Sequence, residues 1–160
     1  MKITANLQEG KLLIRDAVYP ISCSVRSIKN GTRRSSEVIR SIPDNRPYDP
    51  QPFPVGTWNV TAVEWQNVGE KNQFDYNTYG PCKIRTDACQ WVHVWRLDKD
   101  GDYQEETAQL VNDKGYLLHY TVSSTTLGCI RLNSPENAVK IGRIIEKLLS
   151  QGEKIEIEVI

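Results

Sequence analysis

The sequence predicts a mainly β domain with one packed helix close to its C-terminal end. Three observations carry that prediction. Short runs rich in β-branched and aromatic residues recur along the chain, separated by turn signals of Gly, Asn and Asp. One segment alone, after Ser134, repeats its apolar residues at helical spacing. The 160 residues, with 39% apolar content, four Trp and seven Tyr, suit one domain (1–160) with a single core, well outside the disordered regime.

Residues 2–7 and 11–16 are β-prone runs on either side of Gln8-Glu9-Gly10, and 17–25 follows with small and β-branched residues, so the start reads as a hairpin or meander. From Arg26 to Pro54 the pattern collapses. Five of the eight prolines (Pro43, Pro47, Pro50, Pro52, Pro54) fall there, and proline removes a ladder donor and fixes φ, which predicts a long surface excursion. Between Arg26 and Arg46 six basic residues meet only Glu37 and Asp44, a solvated loop or an anion-binding lip.

Residues 57–65 (TWNVTAVEW) and 90–97 (QWVHVWRL) read as strands. In the second, Trp91, His93 and Trp95 share one face, and Val92, Val94 and Arg96 the other; both faces are expected to be at least partly covered, with His93 a packed structural histidine. Asp98-Lys99-Asp100-Gly101-Asp102 is a hairpin turn and not a calcium loop, because its glycine comes fourth where an EF-hand needs it sixth. After the turn signal Asn112-Asp113-Lys114-Gly115 comes a strand over 116–122 carrying His119, then the small-residue run Ser123-Ser124-Thr125-Thr126. Ser134 caps the helix, Pro135 suits its first position, Glu136 complements the dipole, and Ala138, Ile141, Ile144, Ile145, Leu148 and Leu149 form its apolar stripe before Gly152. Ile155, Ile157 and Val159 then alternate with charges in a last strand.

Charge and composition narrow the function. Lys+Arg and Asp+Glu are 20 each, so no basic excess points to nucleic acid or anionic lipid. No run approaches the roughly 18 apolar residues of a membrane span, and the start MKITANLQEG lacks the apolar stretch of a secretory signal, so neither membrane insertion nor the Sec pathway is expected. Two histidines and four cysteines, without CxxC or HExxH spacing, predict no metal, and acyl transfer by a thiolate with an imidazole would require no cofactor. Cys82 and Cys89 are spaced to close a small disulfide loop in an oxidising compartment; two buried thiols on a turn and a strand is the other reading.

Chemistry is concentrated in 119–131, HYTVSSTTLGCIR. Cys129 follows a glycine in a polar small-residue loop, where its thiol is expected to be partly exposed and the backbone can turn tightly and aim N–H groups at a reacting oxygen, which suits a nucleophile. A thiol needs a base near neutral pH, and His119, ten residues upstream, is the nearest imidazole. A half-buried strand histidine and a small core cysteine are the structural alternative. Papain-like and amidase thiol enzymes place cysteine before histidine, and no histidine follows Cys129; Cys23 has His93 and His119 downstream but no helical period behind it.

Thr126-Leu127-Gly128-Cys129-Ile130-Arg131-Leu132, with His119 upstream and a capped helix at Ser134, resembles the L,D-transpeptidase catalytic domain (YkuD-like). The opening hairpin with Tyr19-Pro20-Ile21-Ser22, Pro54-Val55-Gly56-Thr57-Trp58 and the closing helix and strand are similar to the family's as well. The family's histidine two before the cysteine is Leu127 here, and the gap from His119 to Cys129 is shorter than usual, as in small relatives that include type VI secretion effectors acting on peptidoglycan.

The resemblance implies a β-sandwich of mixed sheets and cysteine acyl transfer on peptidoglycan stem peptides, as an L,D-carboxypeptidase or an L,D-transpeptidase. It implies His119 as base and Cys129 as nucleophile, Thr126 and the Gly128 and Cys129 amides shaping an oxyanion and substrate site, and Arg131 near substrate or holding the loop. It also implies export by a dedicated secretion system to the periplasm or cell wall, with a secretion apparatus or an immunity protein as partner. A catalytically silent β-domain binding peptidoglycan or a protein, through its aromatic strands and the loop from Arg26 to Arg46, is the alternative.

Overall fold

The computed structural model describes residues 1–25, 48–66, 73–100 and 103–160. Strict alternation sets its first strands: Ile3 and Ala5 in β1 (Lys2–Asn6) and Leu12 and Ile14 in β2 (Lys11–Ile14) are buried, and their neighbours are not. β3 (Ala17–Ser22) returns along β2, completing the expected meander. The long β4 (Gly56–Trp65) pairs with β5 (Cys82–Thr86), and α1 (Gln73–Tyr79) lies between them in the chain. β6 (Gln90–Leu97) and β7 (Tyr103–Asp113) form a hairpin; β8 (Leu117–His119), β9 (Ile130–Leu132), α2 (Pro135–Ser150) and β10 (Glu156–Val159) follow.

Eight strands close into a barrel in the order β1-β10-β4-β5-β8-β9-β3-β2, where a β-sandwich was expected. The cause is the return of the chain after α2. β10 inserts between β1, to which it is parallel, and β4, to which it is antiparallel, so neither strand is left as a sheet edge. The ladders are mixed, β8 and β9 being the second parallel pair.

α2 starts as the sequence predicts, with the Ser134 hydroxyl accepting the Asn137 amide at 3.1 Å and Pro135 first in the helix. Its stripe of Ala138, Ile141, Ile145 and Leu148 packs into one core with the strand residues Ile84, Leu118, Ile130, Leu132 and Ile157. Among the described residues no helix is long and apolar enough to cross a membrane.

The β6–β7 hairpin forms its own two-stranded sheet. Val92 and Val94 are buried on one face with Tyr48 and Leu127. The other face is covered only at Trp95, which is half-buried: Trp91 is 64% and Leu110 52% exposed, and His93 is exposed, its ring stacked 6.0 Å from that of Trp95. Among the described residues His93 is exposed, so it is not the packed histidine that was expected.

The Cys82–Cys89 disulfide does not form; all four cysteines are free. Cys82 opens β5 and Cys89 lies beyond its far end, and five extended residues span roughly 13 Å between first and last Cα, whereas a disulfide needs about 7 Å or less. The basic cluster from Arg26 to Arg46 lies outside the described residues.

Candidate active site

β8 and β9 run side by side, with Leu118 opposite Ile130 and His119 opposite Arg131. Leu118 and Ile130 belong to the barrel core, so alternation turns Leu117, His119, Cys129 and Arg131 to the outer face. His119 and Cys129 are thus one diagonal step apart on the same face. Tyr79, the last residue of α1, covers them: its ring lies 5.3 Å from that of His119, and it packs in one cluster with Leu117 and Cys129. Tyr79, His119 and Cys129 are each 4% exposed, which keeps bulk water from all three and leaves the Cys129 thiol buried where partial exposure was expected.

Gly80 lets the helix end this close. Its φ is +70°, and a Cβ there would come 2.8 Å from the Cβ of Tyr120.

Thr126 builds the turn before the cysteine. Its hydroxyl donates to the Cys129 carbonyl at 2.8 Å and accepts the Gly128 amide at 3.2 Å, while its own amide donates to the Ser24 carbonyl at 2.9 Å. The Gly128 N–H, expected to face a reacting oxygen, is therefore taken by Thr126. Gly128 itself is obligatory: at φ +120° a Cβ would stand 2.4 Å from the Gln51 carbonyl oxygen and 2.8 Å from the Tyr116 ring. The Cys129 sulfur accepts a hydrogen bond from the Leu117 backbone amide at 3.3 Å.

Leu127 stands where the family pattern has histidine, and it is buried against Tyr48, Val92 and Val94, clamping the turn to the hairpin. Of the two roles expected for Arg131, the contacts match the loop-holding one. Its Nε donates to the carbonyls of Thr121 at 3.0 Å and Ser123 at 2.9 Å, and its guanidinium lies 5.2 Å from the centre of the Tyr120 ring.

His119 Nδ1 lies 2.8 Å from the Tyr120 carbonyl oxygen, which only accepts, so in the neutral ring Nδ1 carries the proton and Nε2 the lone pair. Burial lowers its pKa to about 4, assisted by the positive charges of Lys83 and Arg131 and opposed by the backbone of Tyr120 and Thr78. The imidazole is neutral at pH 7. Lys83 is its partner across the β5–β8 ladder and places its ammonium 4.2 Å from the centre of the Tyr79 ring.

The other thiols sit differently. Cys23 donates to the Gly128 carbonyl at 3.3 Å and accepts the Phe53 amide at 3.4 Å; burial raises its pKa. Cys82, in the core, is pushed up to about 11 by burial and then by the charge of Glu146. Both are held as thiols. Among the described residues no three of His, Cys, Asp and Glu cluster as a metal site would.

The pattern of residue types did not point to Tyr79, Tyr116, Asp113 or the Leu117 amide. Tyr79-Gly80 is a helix C-terminus signal that was there to be read; the others act through a backbone amide and through side-chain contacts that only the fold brings together. Compared with family models, curated proteins and solved structures, the chain matches none.

Proposed function

We propose that the chain is a cysteine-dependent acyltransferase or peptidase acting on peptidoglycan stem peptides, with the L,D-transpeptidase type of chemistry that its Gly-Cys-Ile-Arg segment resembles. One observation carries this reading: His119 and Cys129 share the outer face of adjacent parallel strands under Tyr79, with the sulfur already accepting the Leu117 amide. An N–H aimed at sulfur favours its charged form.

Cys129 attacks the carbonyl of the L-centre residue of a stem tetrapeptide. Its proton passes to Nε2 of His119 and from there to the departing nitrogen as the C–N bond breaks, releasing the terminal D-amino acid and leaving a thioester. Water then gives an L,D-carboxypeptidase, and an incoming amine a transpeptidase or exchanger. Burial and two nearby cations disfavour the imidazolium, so the resting imidazole is neutral and takes the proton during attack. Such a protein works in the periplasm or cell wall, delivered by a dedicated secretion system. The test is incubation with purified stem tetrapeptide and mass analysis: a trimmed or exchanged peptide is expected, lost in Cys129→Ala, and turnover retained in Cys129→Ala overturns the assignment.

The exposed hairpin face favours a second reading, a silent domain that binds peptidoglycan through Trp91 and its neighbours. There Trp91→Ala abolishes sedimentation with sacculi, the unmodified protein leaves the tetrapeptide intact, and Cys129→Ala changes neither result.

A further inference from the structure

The residue that ties the sulfur to the rest of the fold is Tyr116. It is fully buried, and its side chain ends in a closed set of hydrogen bonds: the hydroxyl donates to Asp113 Oδ2 at 3.1 Å and accepts from Gln90 Nε2 at 2.8 Å, and the same Gln90 nitrogen lies 2.6 Å from the Pro52 carbonyl oxygen. Asp113 is itself fully buried, at the end of β7 opposite Gln90. The Tyr116 backbone is pinned as well, its carbonyl accepting the Thr86 hydroxyl at 2.7 Å. An edge-on contact with Phe53, at 5.5 Å between centroids, fixes the ring.

From this held position two things reach Cys129. The ring edge occupies the space over Gly128 that a Cβ would need, which seats the turn immediately before the cysteine. The next peptide unit presents the Leu117 N–H to the sulfur at 3.3 Å. A fully buried carboxylate is costly to desolvate unless it is hydrogen-bonded, and the Tyr116 hydroxyl supplies one such bond to Asp113.

We propose that Tyr116 is a positioning residue for the Cys129 thiol, locked by Asp113 and Gln90 so that the Gly128 turn and the Leu117 amide meet the sulfur in one geometry. The proposal rests on the reading of Cys129 as nucleophile, yet its consequence is measurable without substrate. Among the described residues, the charged and titratable groups around the sulfur are His119 and Arg131 on its face, Tyr79 above, Lys83 on the next strand, Tyr116 with Asp113 behind the turn, and the Cys23 thiol on the Gly128 carbonyl. Of these only Tyr116 and Asp113 are altered in the variants.

The experiment follows the Leu117 amide proton by NMR against pH, together with the rate of Cys129 alkylation by iodoacetamide. The amide shift should titrate with the thiol in the unaltered protein and not in Cys129→Ala. Tyr116→Phe, which keeps the ring, should move that titration upward and slow alkylation at pH 7 roughly three- to tenfold, as expected for a weakened hydrogen bond to a charged group. Asp113→Asn, which still offers the hydroxyl an acceptor while removing a negative charge, should not move the titration upward. Should Tyr116→Phe not fold, Gln90→Ala at its half-buried position should shift the titration in the same direction by less. A folded Tyr116→Phe or Gln90→Ala protein with an unchanged Leu117 titration overturns the proposal. Co-titration that shifts as described, in a protein that leaves the stem tetrapeptide intact, upholds the positioning role and overturns the acyl-transfer reading alone.

Discussion

The ring of Tyr79 stands 5.3 Å from that of His119, the planes inclined at 58°, and this contact joins the end of α1 to the strand that carries the candidate base. It covers a face of β8 and β9 that the two strands alone would leave open to water. It also sets the imidazole's charge, since burial is the largest cause of its lowered pKa.

Removing that cover should be visible in His119 first. In Tyr79→Ala water reaches the ring, and the imidazole pKa should climb from about 4 back towards 6.5. Loss of a buried aromatic side chain should also cost about 3 kcal/mol or more of stability. A titration of the His119 Cε1 proton by NMR measures the first, and urea denaturation the second.

The same lowered pKa makes folding pH-dependent. The unfolded chain binds a proton at His119 near pH 6.5 and the folded chain only near pH 4, so between these values the unfolded state holds more protons. His119 therefore contributes stability that is fully present above about pH 6.5 and is lost as pH falls to about 4, on the order of 3 kcal/mol across the window. Denaturation midpoints across that range should fall with pH for the unaltered protein and lose that component of the slope in His119→Gln. Equal slopes in the two proteins would show that the folded imidazole titrates normally.

Gly128→Ala should damage both fold and site. The new methyl group meets a backbone oxygen at 2.4 Å and a ring that Asp113 and Gln90 hold in place, at a φ of +120°. A destabilisation of about 2 kcal/mol or more is expected from overpacking and backbone strain together. Thermal melting gives the loss, and the Leu117 amide shift gives the displacement of the turn. An unchanged melting temperature would mean that the turn adapts.

Leu127→His inserts the residue of the family pattern, and it should weaken the protein. Leu127 is packed between Tyr48, Val92 and Val94, where an imidazole finds apolar side chains around it. Stability should drop by about 2 kcal/mol, with the hairpin amides of β6 exchanging faster with deuterium than in the unaltered protein. A gain in both stability and turnover would show instead that the position tolerates the family's arrangement.

How much was legible in the sequence follows from how each signal is stored. Local periodicity carried the opening meander, the strand ending at Trp65, the β6–β7 turn and the capped α2, because alternation, caps and turn residues act within a few positions of each other. The short pieces β5 and β9 and the seven-residue α1 escaped, being too brief to show a period. β7 escaped because its polar composition, YQEETAQLVND, suits an exposed strand as well as a loop.

The candidate pair of His119 and Cys129 was readable from residue type and spacing, and the sequence by itself determined that these were the imidazole and thiol to consider. What only the tertiary structure decided is their setting. Parallel pairing of β8 with β9 put both on one face, the end of α1 sealed them from water, and Thr126 drew the Gly128 amide into the turn. The return of β10 between β1 and β4 closed the barrel that alternation alone could equally have laid out as two sheets. Strand register, burial and the partners of backbone amides are set by residues far apart in the chain, so no local pattern encodes them.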